Sequence, residues 1–317
     1  MIPTPDDSIK DGKILEPERL IKQLQQLKQN IRWYKNRVNL CLGPQTFYMR
    51  RVQLPPMTEP EISKAMRLEV EKHFPLTAEE AVFDYCPVNC NPGSRPKARE
   101  YLLAAAKNNI ADSYTAVAES AGFNTAALEI MPLSLLRSLL SKRTSGRSNI
   151  SNQGPALRVL LDAGFNDSAL LITRGEEYQL YRNLKIGLGN FYQAALQANN
   201  GNHSKMHRQV YARVTLAERN LEKTADLFAS KIVQSLTYWG EQSSLSEPEV
   251  QSFEICGGGA FIPGLATYLG SRLDIKPSLF NPLPFFTGTS FIDNPEQYRE
   301  ESFYTAAFGL ALRGWIQ

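Results

Sequence analysis

The sequence predicts an α/β protein built from two halves, with a small α+β subdomain set into the first. Three observations carry this reading. Short strand-like runs alternate with amphipathic helical stretches along most of the chain. A polar, basic, glycine-bearing segment from Ser141 to Pro155 divides it, giving halves 1–150 and 151–317. In the second half, two strand-like runs end in glycine turns, Asp162-Ala163-Gly164 and Gly257-Gly258-Gly259.

Taken in order, residues 1–15 are a polar lead. Glu16 to Lys35 repeats apolar residues at three- and four-residue steps (Leu20, Ile21, Leu24, Leu27, Ile31) and reads as a helix. Arg37 to Leu42 is a strand, stopped by Gly43-Pro44. Phe47 to Leu54 is another, stopped by Pro55-Pro56. Thr58 with Glu61 three positions on forms a capping box for a helix whose apolar face is Ile62, Ala65, Met66 and Leu68. Ala81 to Val88 and Tyr101 to Ala106 are strands around a loop at Asn91 to Pro96. Ala111 to Ala121 is a helix with Gly122 at its C-cap, and Leu133 to Leu140 is a further helix. The compact subdomain spans about residues 38–130.

In the second half, Leu157 to Leu161, Ala169 to Thr173 and Tyr178 to Leu184 form a meander, with Gly175 in the second turn. Gly187-Leu188-Gly189 then leads into a helix. Val210 to Trp239 is a long helix with one apolar stripe: Val214, Ala217, Leu221, Ala225, Phe228, Ile232, Leu236 and Trp239. Phe253 to Cys256 is a buried strand, Pro263 to Leu273 a helix, and Tyr304 to Leu312 a last helix rich in small residues.

Composition narrows the function. The 317 residues are 43% hydrophobic and 21% charged, as in a globular protein. A net charge of +3 gives no broad grip on nucleic acid. No apolar run approaches the length of a membrane span. The polar, proline-bearing start (Met1-Ile2-Pro3-Thr4-Pro5) is no secretory signal, so a cytoplasmic location is expected. The four cysteines form no disulfide framework, and Cys41 and Cys256 read as small core residues.

The glycine turns carry the candidate chemistry. Three glycines between a strand and a helix let another surface approach the backbone, either a nucleotide or simply a neighbouring turn. Asp162 beside Gly164 can face a metal-bound water at a phosphate, or can belong to an ordinary hairpin. Asp167 in the same loop places a second acid where phosphate would sit. His203 and His207 share a helical spacing but lack the acid that a metalloprotease motif needs, and no metal site is expected. Cys86 and Cys90 have no second pair. There is no P-loop and no G-x-S-x-G nucleophile elbow.

Several blocks together resemble one family over nearly the whole chain: the type IV pilus assembly protein PilM family, related to FtsA in the actin-like ATPase superfamily. They are Arg51-Val52-Gln53-Leu54-Pro55-Pro56-Met57-Thr58, Phe74-Pro75-Leu76, Phe83-Asp84-Tyr85, Leu160-Leu161-Asp162-Ala163-Gly164, Cys256-Gly257-Gly258-Gly259-Ala260-Phe261-Ile262-Pro263-Gly264-Leu265, Asn281-Pro282-Leu283 and Ala307-Phe308-Gly309-Leu310. The glycine run and the two last blocks are the most specific. The resemblance implies an actin-like (ribonuclease H-like) ATPase fold with a small inserted α+β subdomain. It places Asp162 and Gly164 in a phosphate turn, and Gly257, Gly258 and Gly259 in an adenosine turn, with ATP and Mg²⁺ as the cofactor.

Two departures bear on that cofactor. Family members open with strands carrying a first phosphate turn, whereas Met1 to Pro5 aligns with the segment after them, so the N-terminal strands are expected to be missing. Asp11-Gly12 is expected to lead into a helix rather than out of a strand. The second turn carries Phe165-Asn166-Asp167 in place of small and hydroxyl residues. Nucleotide binding is therefore expected to be weak or lost, and hydrolysis absent. The implied role is a cytoplasmic scaffold at the inner membrane that binds the cytoplasmic tail of a PilN-like bitopic protein. The competing expectation is an ATP-binding actin-like ATPase whose first phosphate turn lies outside this chain.

Overall fold

The structure, a computed structural model, describes residues 4–30, 36–88, 98–141, 157–198, 219–242, 250–275, 277–282 and 301–314. The chain forms two compact units, Met1–Met131 and Pro132–Gln317. Of the proposed linker, residues 142–155 lie outside the described residues.

The first unit begins with a short antiparallel hairpin, β1 (Ile9–Lys10) and β2 (Lys13–Ile14). Asp11 and Gly12, both at positive φ (50° and 73°), make its turn. Two consecutive left-handed residues are what a tight hairpin requires, and Asp-Gly supplies them. This corrects the expectation that Asp11-Gly12 leads into a helix. A Cβ at Gly12 would lie 2.0 Å from Thr46 Cγ2, and the Tyr114 hydroxyl donates to the Gly12 carbonyl at 2.9 Å. The turn is thus pinned from both sides.

Helix α1 (Pro17–Asn30) follows and packs on α3 (Asn108–Ser120). Lys28 donates to the Gly122 carbonyl at 2.5 Å and lies over the Phe123 ring. α3 ends as expected at Gly122, which is left-handed at φ 86°. Gly122 N donates to Glu119 O and Phe123 N to Ala118 O, the paired bonds of a Schellman cap.

Strands β3 (Arg37–Leu42), β4 (Phe47–Leu54) and β5 (Ala81–Val88) have the predicted bounds, and β6 (Arg99–Lys107) extends the predicted strand at both ends. They form an antiparallel sheet in the order β4-β6-β5, while β3 pairs in parallel with β7 (Asn124–Ile130). Among the described residues, the first unit has this parallel pair and no five-stranded sheet. β7 was not anticipated, because Ala126-Ala127 in its middle carries no β preference and only the partner strand makes it a strand.

Helix α2 (Glu59–His73) covers one face of the three-stranded sheet. Its capping box forms: Glu61 accepts from Thr58 N at 2.8 Å and from Thr58 Oγ1 at 2.7 Å. Ile62, Met66 and Val70 are buried against Val52, Tyr101 and Leu103. Leu68, expected on the apolar face, is 67% exposed, and Val70 takes its place because the stripe advances by four.

The second unit opens with α4 (Met131–Ser141). Its sheet runs β10 (Glu177–Asn183), β9 (Ser168–Arg174), β8 (Leu157–Ala163), β11 (Val250–Cys256), β12 (Ser278–Leu279). β10, β9 and β8 are antiparallel neighbours, while β8·β11 and β11·β12 are parallel. In chain order this is 3-2-1-4-5 with the second strand reversed, the ribonuclease H-like arrangement that the resemblance implied. The central strands read as near-continuous apolar runs because both faces are covered.

One face is dry. Leu157, Val159, Leu161, Leu170 and Ile172 pack with α5 (Leu188–Ala198), α6 (Arg219–Gln242) and α7 (Leu265–Leu273). Leu221, Ala225, Phe228, Ile232 and Trp239 of the predicted α6 stripe are buried there; Val214 and Ala217 lie outside the described residues. The other face buries Leu160 and Leu171 just as fully, as α4 buries Leu135 and Leu139, and polar contacts of α4 and α8 (Thr305–Ala311) are added there. Arg158 pairs with Glu254 at 2.9 Å and donates to Leu139 O at 3.3 Å. Ser138 donates to Thr305 O at 2.6 Å and Arg137 to Gly309 O at 2.7 Å. A Cβ at Gly309 would lie 1.8 Å from Ser134 O, so α4 and α8 cross where only glycine fits.

Candidate functional site

The geometry worth chemical attention lies where β8 and β11 end side by side. Their parallel register sets Asp162 opposite Cys256. Beyond these residues each strand turns. Gly164 closes the first turn: a Cβ there would lie 2.4 Å from Asp167 O. Gly257 opens the second at φ 78°, followed by a 3₁₀ turn from Gly258 to Phe261. Gly264, left-handed at φ 86°, then precedes α7, so the helix starts at Leu265 rather than at Pro263 as the sequence suggested.

All five residues singled out from the sequence come together here. A Cβ on Gly257 would sit 2.4 Å from Asp162 Oδ1 and 2.7 Å from Ala163 O. One on Gly259 would sit 2.8 Å from the Ala163 methyl. Gly258 lies between them in the 3₁₀ turn, partly exposed. The surface for which these glycines make room is therefore the neighbouring turn.

Asp162 is half-buried. Burial pushes its carboxyl up to about 6, opposed by a hydrogen bond from the Cys256 thiol. Cys256 is fully buried. Burial first, and the charge of Asp162 second, push its thiol well above the usual range, so it remains protonated and donates. Thr305, at the start of α8, hydrogen-bonds the same sulfur. Gly257 N donates to Ser302 O at 3.1 Å, and Thr305 Oγ1 to the same carbonyl at 2.9 Å. Ser302 and Thr305 were not foreseen: they reach the turn from some fifty residues away, and nothing local in the sequence marks them. Cys256 was read as a core residue, which it is, but its bond to Asp162 depends on strand register.

A second contact set ties down the β8–β9 loop. Leu188 N donates to Gly164 O at 2.9 Å and Gly189 N to Phe165 O at 2.8 Å. Asn190 caps the start of α5 by accepting from Gly187 N at 2.9 Å. The Phe165 ring covers Gly189, where a Cβ would lie 3.3 Å from it.

ATP and Mg²⁺ can be tested against these residues. Of the backbone donors at these turns, Gly257 N and Gly164 N already serve chain carbonyls, and the loop's own carbonyls at Gly164 and Phe165 accept from the start of α5. The Asp162 carboxyl is engaged by a thiol, and Asp167 adds a second acid to the loop. Among the described residues, no group of three or more His, Cys, Asp or Glu could hold a metal. Gly257 N, Gly164 N and the Asp162 carboxyl are thus committed to partners within the chain.

His203 and His207 lie outside the described residues, as does Cys90, while Cys86 is exposed on β5. No helix among the described residues is long and apolar enough to cross a membrane.

Comparison with known proteins places the geometry in context. The family model of the type IV pilus assembly protein PilM matches residues 1–315. Among solved structures, the PilM-PilN type IV pilus biogenesis complex is similar at a TM-score of 0.83 and 23% identity, over 98% of this chain and 89% of that one. The ethanolamine utilization protein EutJ from Carboxydothermus hydrogenoformans is similar at a TM-score of 0.52 and 10% identity, over 97% and 78%. MreB5 of Spiroplasma citri bound to ADP matches at 0.49 and 12%, over 97% and 78%. No curated protein sequence matches this one. The fold is that of the actin-like ATPases.

Proposed function

This chain belongs to the type IV pilus assembly protein PilM family, and from that premise we propose that it is a scaffold of pilus assembly that captures the cytoplasmic tail of a PilN-like bitopic protein. The observation that carries the reading is the family match over residues 1–315, supported by a shared fold over 98% of the chain with the PilM of a PilM-PilN complex. The proposal extends to a competence or type II secretion-like machinery as the setting of the same role.

Physically the task is peptide capture. An extended tail lays apolar anchors into pockets while its backbone pairs with protein. The α+β subdomain at about residues 38–130 supplies one wall of the capture site. Its own core is self-sufficient, with α2 on one face of β4-β6-β5. The protein then sits at the inner membrane through its partner, in keeping with the absence of a spanning helix among the described residues.

The test is a pull-down and a titration with a synthetic peptide carrying the N-terminal tail of the neighbouring bitopic gene product. Saturable capture without nucleotide is the expected outcome. No capture by the full chain, with or without Mg-ATP, overturns the adaptor role. Capture only with Mg-ATP favours the ATP-dependent reading.

A further inference from the structure

We infer that the paired turns at the ends of β8 and β11 form a structural clasp, in which the residues aligned with a nucleotide site hold the second unit together instead. The clasp goes beyond the scaffold role and is independent of partner capture.

Three independent contacts build it. Gly257 and Gly259 sit directly on Asp162 and Ala163, where added Cβ atoms would lie 2.4 Å from Asp162 Oδ1 and 2.8 Å from the Ala163 methyl. A ligand pocket would leave open space above such glycines. Here another strand end fills it. Next, Cys256 and Gly257 are tied to the segment leading into α8, through Thr305 on the sulfur and Ser302 O on the backbone N–H. Finally, the β8–β9 loop accepts two N–H groups from the start of α5, and Phe165 closes over Gly189. Elements from five stretches of the unit (β8, the β8–β9 loop, α5, β11 and the approach to α8) therefore meet at one point.

A built-in polar junction of this kind explains why Asp162 and the glycine run persist beside Phe165-Asn166-Asp167. Asp162, Gly164, Gly257 and Gly259 each have a close neighbour inside the chain. Gly257 N and Gly164 N are turned onto chain carbonyls, which takes one preorganised donor of each turn away from an anion.

The experiment measures thermal unfolding of the full chain and of two variants. For the natural chain, about 5 mM Mg-ATP or Mg-ADP should leave Tm unchanged, since a ligand that binds only the folded state must raise it. Gly259→Ala should lower Tm by several degrees without any nucleotide, because its methyl meets that of Ala163. Adding Ala163→Gly to Gly259→Ala removes that methyl and should recover part of the loss. A Tm rise of several degrees with Mg-ATP overturns the clasp, as does a Gly259→Ala variant as stable as the natural chain. A double variant no better than Gly259→Ala overturns the specific contact. Capture of the partner tail peptide is scored separately, so failure of the clasp and failure of the scaffold reading are told apart.

Discussion

Asp162 faces Cys256 across the parallel β8·β11 ladder, and the buried thiol donates to the half-buried carboxyl. Burial raises the pKa of the acid, and the strand register supplies the thiol that partly opposes the shift.

The first prediction follows from that pair. Asp162 ionises at about 6, against an ordinary value of 3.8, mainly because burial disfavours the charge. The unfolded chain releases this proton near the ordinary value, and the folded chain keeps it up to about 6. Between the two, the folded state binds more protons, so stability falls as pH rises through that window and stays reduced above it. Asp162→Asn removes the penalty. It should stabilise the second unit by about 1 to 3 kcal/mol at pH ~7, toward the lower end because the carboxyl is partly solvated, and the gain should vanish near pH ~4. Thermal melts of both proteins from pH ~4 to ~8 check the sign.

The capping box at Thr58 and Glu61 gives a second test. Thr58→Ala should cost about 1 kcal/mol in the transition of the first unit. Hydrogen bonds from Thr58, backbone first, hold the Glu61 carboxyl below its usual range. Its contribution is therefore present at neutral pH and lost as pH falls through that lowered value. Urea unfolding should show the gap between the natural chain and Thr58→Ala narrowing at acid pH, by the part that the hydroxyl contributes, since alanine keeps the backbone bond to Glu61.

Met66 and Leu68 stand two residues apart on α2 and differ in consequence. Met66 is fully buried and Leu68 is 67% exposed. Met66→Ala should cost about 2 to 5 kcal/mol through lost burial and a cavity. Leu68→Ser should stay within about 0.5 kcal/mol of the natural chain. Equal effects in chemical denaturation would mean that the face of α2 is misassigned.

At the α4–α8 crossing, Gly309→Ala should be severe. Its methyl would meet the Ser134 carbonyl at 1.8 Å, and a backbone atom in a packed helix cannot turn aside as a side chain can. A loss of at least about 3 kcal/mol is expected. A far-UV and near-UV dichroism melt should show it in the second unit.

Much of the fold was legible because it is written locally. Glycine and proline stops set the bounds of β3, β4 and β5, and the three-and-four spacing of Leu221, Ala225, Phe228, Ile232 and Trp239 gave the buried side of α6. What escaped was non-local. Asn124 to Ile130 is a strand only because β3 lies beside it. Two-residue β12 has no pattern to read. At the candidate site the sequence marks five residues that the fold brings close together, since glycine runs after apolar strands are conspicuous. It could not say what the glycines face. That depended on β8–β11 register and on Ser302 and Thr305, which reach the turn from a distant part of the chain.

The sheet of the second unit buries apolar side chains on both faces, and polar contacts pin only one of them. Apolar burial weakens as a solution is chilled, while hydrogen-bonded and ion-paired contacts are far less sensitive to cold. Refrigeration should therefore loosen α5 and α6 from β8 and β9 before it frees α4, which Arg158, Arg137 and Ser138 hold in place.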